Sequence, residues 1–268
     1  MKKYFCSSDI HSFYEEWLLA LDAAAFDINN PEHIVIICGD LFDRGMESNE
    51  CFSFAQQLAE ANRLIYIRGN HEDLLYDCVK DLTRGHLHRH HISNGTVNTI
   101  AGVLGVSQYD LLCDVVSVTE LQLKIQPLLD FIDRYSVDYY ELGDKVFVHG
   151  WIPTTTDGRY EIVGTDWRQG DWSRARWECG FDSWRCKLLP PNDETVVCGH
   201  WHTSYGWSEF RGRSEWGTDA EFTPFIDNKI IAIDACTPYT HMVNVVVFDE
   251  HGNLIKEENH GTSEDVIS

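Results

Sequence analysis

The sequence predicts an α/β fold of two mixed β-sheets packed as a sandwich, with helices on the outside, in a single domain over residues 1–268. Three observations predict it. Short apolar runs alternate with segments of helical period through the first half. Strand-like runs return after Asp144, and five polar fragments each directly follow one of these runs. Strand ends are where α/β folds collect ligands.

Residues 4–8 read as a short first strand. Ser12-Phe13-Tyr14-Glu15 has the form of a capping box and opens a helix with apolar residues at Trp17, Leu18, Leu21 and Ala25. Pro31 closes the connection, and 33–38 is a continuous apolar run, as expected of a strand covered on both faces. Residues 49–61 alternate at helical period, and 63–68 form a third strand. This rhythm implies right-handed βαβ units and a mainly parallel sheet. A helix follows Glu72 to about residue 84 and gives way to the polar loop Gly85-His86-Leu87-His88-Arg89-His90-His91. Ser117-Val118-Thr119-Glu120, a second capping box, starts a helix to about residue 133. Residues 73–140 read as a helical insertion over one end, and 151–192, rich in Trp and Arg, as a rim facing substrate. Strands return at 145–148, 195–198, 230–234 and 243–248. The last two leave no room for a helix between them and are expected to pair antiparallel.

The formal net charge of −22 opposes any long polyanion, and no basic footprint for double-stranded nucleic acid is visible. Small phosphorylated molecules, phosphopeptides and nucleotides stay open, because metals and a few arginines make a local positive pocket inside an acidic shell. Nine cysteines lie without paired spacing. Cys38 and Cys198 fall in apolar runs and read as reduced, buried thiols, and Cys179 and Cys186 lack the second pair of a zinc site. Residues 1–5 carry no apolar stretch for a signal peptide or a membrane span. A reduced, cytoplasmic protein with no membrane partner is the expectation. The oligomeric state stays open.

The five fragments are Asp9-Ile10-His11, Gly39-Asp40-Leu41-Phe42-Asp43-Arg44-Gly45, Gly69-Asn70-His71-Glu72, Val148-His149-Gly150 and Gly199-His200-Trp201-His202. Together they offer carboxylate, imidazole and amide donors without thiolate. That set suits hard or borderline divalent ions used in catalysis rather than a structural zinc. The reading is a two-metal hydrolase.

The order D-x-H, G-D-x-x-D-R-G, G-N-H-E, H-G and G-H-x-H resembles the calcineurin-like metallophosphoesterases. The intact second and third motifs resemble the branch that holds serine/threonine phosphoprotein phosphatases and symmetrical diadenosine tetraphosphate hydrolases. The likeness spans Asp9 to His202 and continues into Ile231-Ala232-Ile233-Asp234-Ala235. It implies two divalent ions, Mn²⁺ first, with Fe and Zn²⁺ fitting the same donors. One ion would be held by Asp9, His11, Asp40 and His202. The other would be held by Asp40, Asn70, His149 and His200, with Asp40 bridging and a hydroxide between the ions attacking phosphorus in line. The resemblance further implies His71 as general acid steadied by Asp43, and Arg44 as a fork on the phosphoryl oxygens. A second arginine is expected among Arg168, Arg174 and Arg176, with Arg174 preferred. The implied activity is first a serine/threonine protein phosphatase, second a dinucleoside polyphosphate or nucleotide hydrolase, and remotely an inactive scaffold.

Several features admit plainer readings. Five of the nine tryptophans fall between Trp151 and Trp184. Such a stretch needs an apolar cluster of its own, and the functional alternative is a rim that stacks on a nucleobase or grips a phosphopeptide. The cluster His86, His88, His90 and His91 reads as a solvated lid rather than a metal site. Glu72 either orients Asn70 or Arg44 or serves as a favourable charge in its helix's first turn. Asp234 reads as a turn residue outside the site.

Overall fold

The computed structural model describes residues 1–113 and 116–261. Its first half runs β1 (Lys3–Ser7), α1 (Tyr14–Ala23), β2 (His33–Cys38), α2 (Ser48–Glu60), β3 (Leu64–Ile67), α3 (Asn70–Thr83), α4 (Arg89–Ser93), α5 (Thr96–Leu104), α6 (Gln108–Leu112) and α7 (Val118–Tyr135). Then come β4 (Ser136–Val137), β5 (Tyr140–Leu142), β6 (Lys145–Phe147), β7 (Thr155–Thr156), β8 (Glu161–Ile162), α8 (Trp172–Ala175) and α9 (Gly180–Arg185). The chain closes through β9 (Thr195–Cys198), α10 (Thr203–Arg211), β10 (Phe225–Asp227), β11 (Ile230–Ala232), α11 (Thr237–Thr240), β12 (Met242–Asp249) and β13 (Leu254–Gly261).

Two mixed sheets form, in the orders β13-β12-β1-β2-β3-β4 and β10-β11-β9-β6-β5, beside a small β7–β8 hairpin. In the first, β1 to β4 are parallel, and β12 runs antiparallel to β1. In the second, β11, β9 and β6 are parallel, with β10 and β5 antiparallel at the edges. The period of two explains why the runs are apolar throughout. Val35 and Ile37 join the core under the helices, while Ile36 and Cys38 face the other sheet alongside Phe147, Val197, Ile231 and Phe248. Val146, Val196 and Cys198 point outward to a third cluster containing Trp151, Trp167 and Trp172. The plain reading of the tryptophan stretch therefore holds for these three.

Two local expectations fail. Ile230–Ala232 and Met242–Asp249 do not pair: β11 lies beside β9, and β12 beside β1, in opposite sheets. One turn of helix, α11, suffices to carry the chain across the sandwich, with Cys236 and His241 at its ends in left-handed backbone (φ 54° and 53°). Ser12 does not cap α1 either. Its own backbone is left-handed (φ 60°), its N–H donates to Leu41 O at 2.9 Å, and its hydroxyl meets Ser48 Oγ at 2.9 Å. Glu47 caps the helix from a distance, accepting from the N–H of Tyr14 (2.7 Å) and Glu15 (3.2 Å). Of the second capping box only half forms: Ser117 Oγ accepts from Glu120 N at 3.2 Å, while the Glu120 carboxylate pairs with Lys124 Nζ at 2.9 Å. Among the described residues no helix is long and apolar enough to cross a membrane, and all nine cysteines are free.

Candidate metal centre

Asp9, Asp40, Asn70, His149 and His200 each follow the C-terminal end of a strand, β1, β2, β3, β6 and β9 in turn. The strand ends converge because these five strands lie at the centres of two facing sheets. Sharp exits turn the side chains inward: Asp9, His11, Asp40, Asp43, Arg44 and His200 all have φ between 52° and 75°. Left-handed backbone in non-glycine residues is costly and concentrates at functional sites. Two motif glycines are explained by close approach. A Cβ on Gly69 would collide with Asp40 Oδ1, and one on Gly199 with Ser8 Oγ and Asp9 Oδ2.

Two groups of potential ligand atoms form, His11–Asp40–His71 and Asp40–His149–His200, each with its atoms within 4.8 Å of one another. Asp40 is common to both. His149 Nδ1 donates to Cys38 O at 2.8 Å, which leaves Nε2 facing Asn70 Oδ1 at 2.7 Å and Asp40 Oδ1 at 3.3 Å. Three lone-pair-bearing atoms thus meet at one point, and something positive must sit among them. The protein alone supplies a proton. Burial works against it, but the charge and hydrogen bond of Asp40 outweigh burial and push the His149 imidazole up to about 10. Burial likewise opposes ionisation of Asp40, yet the charges of His149 and His71 hold it well below the usual carboxylate range. Burial and then the charge on His149 push His200 down to about 3. A divalent ion satisfies the same lone pairs, so the donor set fits the group that the motifs imply.

His11 follows the same logic. Nδ1 donates to Phe42 O at 3.0 Å, and Nε2 faces Asp9 Oδ1 at 3.9 Å and Asp40 Oδ2 at 3.8 Å. Asp9 Oδ2 accepts from Ser8 Oγ (2.5 Å) and His200 N (2.8 Å). His202 lines the same cleft but stands apart from both close groups, with Nδ1 2.8 Å from Ser204 Oγ and Nε2 3.5 Å from Glu215 Oε1.

His71 Nδ1 donates to Asp43 Oδ2 at 2.8 Å, and Nε2 faces the cleft 3.3 Å from Arg44 Nη2. Burial disfavours the imidazolium, but Asp40 and Asp43 raise the His71 pKa above its ordinary value. Asp43 is itself fully buried and held by Thr96 Oγ1 and Thr99 Oγ1, each 2.8 Å away. Glu72 touches neither Asn70 nor Arg44 as a partner. Its carboxylate accepts from the N–H of Gly69 (2.7 Å), Leu41 (3.0 Å) and Asp40 (3.1 Å), fixing the loop that carries Asp40.

The remaining expectations part company with the geometry. Arg174 does not reach the cleft, being held by Glu161 and, at 3.0 Å, Glu178. Arg176 is tied to Asp138 and Asp73, and Arg168 to Glu141 and Glu194. In an acidic chain these carboxylates claim the rim arginines, and among residues lining the cleft Arg44 is the arginine present. Asp234, read as a turn residue, lines the cleft, 6% exposed, and burial with the charge of Asp9 raises its carboxyl well above the usual range. Its strand-then-Asp setting matched that of Asp9 and Asp40. Glu215, Thr96 and Thr99 had no local signal. Of the histidine loop, His91 is fully buried with Nε2 3.1 Å from Asp81 Oδ2, while His88 stays exposed.

A helix-covered sandwich whose strand ends gather histidines around a shared carboxylate defines a metal-dependent phosphoester hydrolase. The model of the family described as Calcineurin-like phosphoesterase matches residues 3–228, and the chain belongs to that family. Two similar curated proteins are bis(5′-nucleosyl)-tetraphosphatases named as asymmetrical. The one from Bacillus subtilis (strain 168) is 34% identical over 199 residues, 67% of this chain and 74% of that protein. The one from Bacillus velezensis is 27% identical over 163 residues, and the chain spans 59% of its length. In fold the chain resembles a cold-active protein-tyrosine phosphatase of the psychrophile Shewanella sp. (TM-score 0.54, 17% identity, 97% of this chain and 80% of that one). It also resembles a protein serine/threonine phosphatase from Saccharomyces cerevisiae (TM-score 0.51, 15% identity, 98% and 81%).

Proposed function

We propose that the chain hydrolyses dinucleoside polyphosphates or related nucleotides at two divalent ions, with Mn²⁺ the first choice. Asp9, His11, Asp40 and His202 would hold one ion, and Asp40, Asn70, His149 and His200 the other. Bound there, the ions neutralise the phosphate and make a water nucleophilic near neutral pH. The observation that carries phosphoester hydrolysis at this centre is His71 and Arg44 standing together at Asp40, with His71 Nε2 3.3 Å from Arg44 Nη2 and 3.9 Å from Asp40 Oδ2.

The protein's own part follows from that position. The Nε2 proton of His71 passes to the leaving oxygen, while Asp43 holds the ring by Nδ1 and steadies its charge. Arg44 offers its guanidinium to the phosphoryl oxygens as charge gathers on them. Glu72 keeps Asp40 aimed by binding the backbone on either side of its Cα.

The motifs alone ranked phosphoserine and phosphothreonine proteins first. The names of the curated relatives support nucleotides at least as well, and the likeness to protein phosphatases concerns fold. A panel with Mn²⁺ decides, comparing diadenosine tetraphosphate with phosphopeptides under identical conditions. The nucleotide should be cleaved with the higher kcat/KM. A phosphopeptide turned over faster would return the chain to the protein phosphatases, and hydrolysis of neither would remove the assignment.

A further inference from the structure

Trp177 and Trp201 are both left half in solvent, 50% and 39% exposed, although each lines the metal cleft. Their indoles meet the His200 ring edge to face, each with centroids 6.1 Å apart, and with interplanar angles of 85° and 62°. His200 thus touches two partly exposed indoles. Trp201 also meets His202 (6.3 Å, nearly parallel) and Tyr205 (5.9 Å, edge to face). Its neighbours in the long tryptophan stretch behave differently, since Trp151, Trp167 and Trp172 are buried in the outer core of the second sheet. The sequence of that stretch therefore serves two purposes, and Trp177 is the member turned toward the cleft.

We propose that Trp177 and Trp201 form a stacking subsite for a nucleobase, one ring beyond the phosphate-binding centre. The occupant must be flat, apolar on its faces and tethered to a phosphate. Each indole centroid lies 6.1 Å from that of His200, whose ligand atom lies within 4.8 Å of Asp40's. That separation leaves room for a sugar between phosphate and ring, which a nucleotide has. A phosphotyrosine ring is bonded directly to its phosphate oxygen and would stop short of the indoles. The subsite rests on the nucleotide reading of the centre and gives that reading its recognition element.

The test uses the Mn²⁺-loaded protein and two probes, AMP and ribose 5-phosphate, with binding followed by calorimetry. Wild type should bind AMP about 10-fold or more tighter than ribose 5-phosphate, as base stacking on an aromatic implies. Trp177→Leu and Trp201→Leu should each remove most of that preference while leaving ribose 5-phosphate affinity and metal content unchanged. Equal wild-type affinity for the two probes would overturn the subsite, as would full AMP affinity in both variants. An equal loss for both probes would also overturn it, because the damage would then lie at His200. A phosphotyrosine peptide bound tighter than AMP, with the preference lost in both variants, would assign the slot to the other class and overturn the nucleobase. Kinetics on diadenosine tetraphosphate separate the two proposals. No cleavage alongside intact AMP selectivity sinks the nucleotide hydrolase and spares the subsite. Cleavage at wild-type KM in both variants does the reverse.

Discussion

The two walls of the cleft are built to different standards. On the His71 wall the carboxylates and imidazoles are buried and held by partners fixed in place: Asp43 by Thr96 and Thr99, Asp40 by Glu72, His149 by Cys38 O, with Arg44 the exposed member beside them. On the His202 wall the imidazole leans on Ser204 and stands near the half-exposed Glu215, and Trp201 and Trp177 face solvent. The difference separates two tasks. Proton transfer and metal binding tolerate little displacement, so their residues need buried hydrogen-bonded supports. Substrate recognition can rest on side chains that adjust.

If that division is right, the largest effect comes from the shared carboxylate. Asp40→Asn should lose the ions and take turnover to background, as chelation of the wild type should also do. Metal content measured by mass spectrometry checks this, and two ions retained with full activity would remove Asp40 from the bridge. Next, His71→Asn should keep both ions and lose about 10²–10⁴-fold in kcat on esters with poor leaving groups. The loss should shrink on an activated aryl phosphate, and equal losses on both would deny the acid role. Third, Glu72→Gln leaves three N–H donors facing an amide in place of a carboxylate. It should cost about 1.5–3 kcal/mol in urea unfolding and about 10–100-fold in metal affinity. Smallest, Ser204→Ala on the adaptable wall should weaken metal binding by only about 2–10-fold. A loss there as deep as that of Glu72→Gln would erase the contrast between the walls.

Much of the rigid wall was legible because its signals are local. Gly69 and Gly199 stand where no side chain fits beside Asp40 and Asp9, and the donors follow apolar runs that must be strands. The supports were not legible. Thr96 and Thr99 lie 53 and 56 residues from Asp43, and nothing near them in sequence marks a carboxylate partner. Arg174 failed for a related reason. An arginine's charge is visible in a sequence, but the nearby Glu161 and Glu178 that engage it become partners only through the fold. The β11–β12 pairing failed because residue count alone cannot tell a hairpin from a crossing between sheets.

The sequence by itself determined the kinds of donor, their placement after strands and the absence of thiolate among them, since these depend on residue chemistry and backbone period. Tertiary structure decided which atoms meet. Asp40 belongs to both groups only because β2 lies beside β1 and β3 in one sheet and faces β6 and β9 in the other. It also decided that Trp177 is bare while Trp172 is buried, since burial depends on what the folded chain lays over each ring.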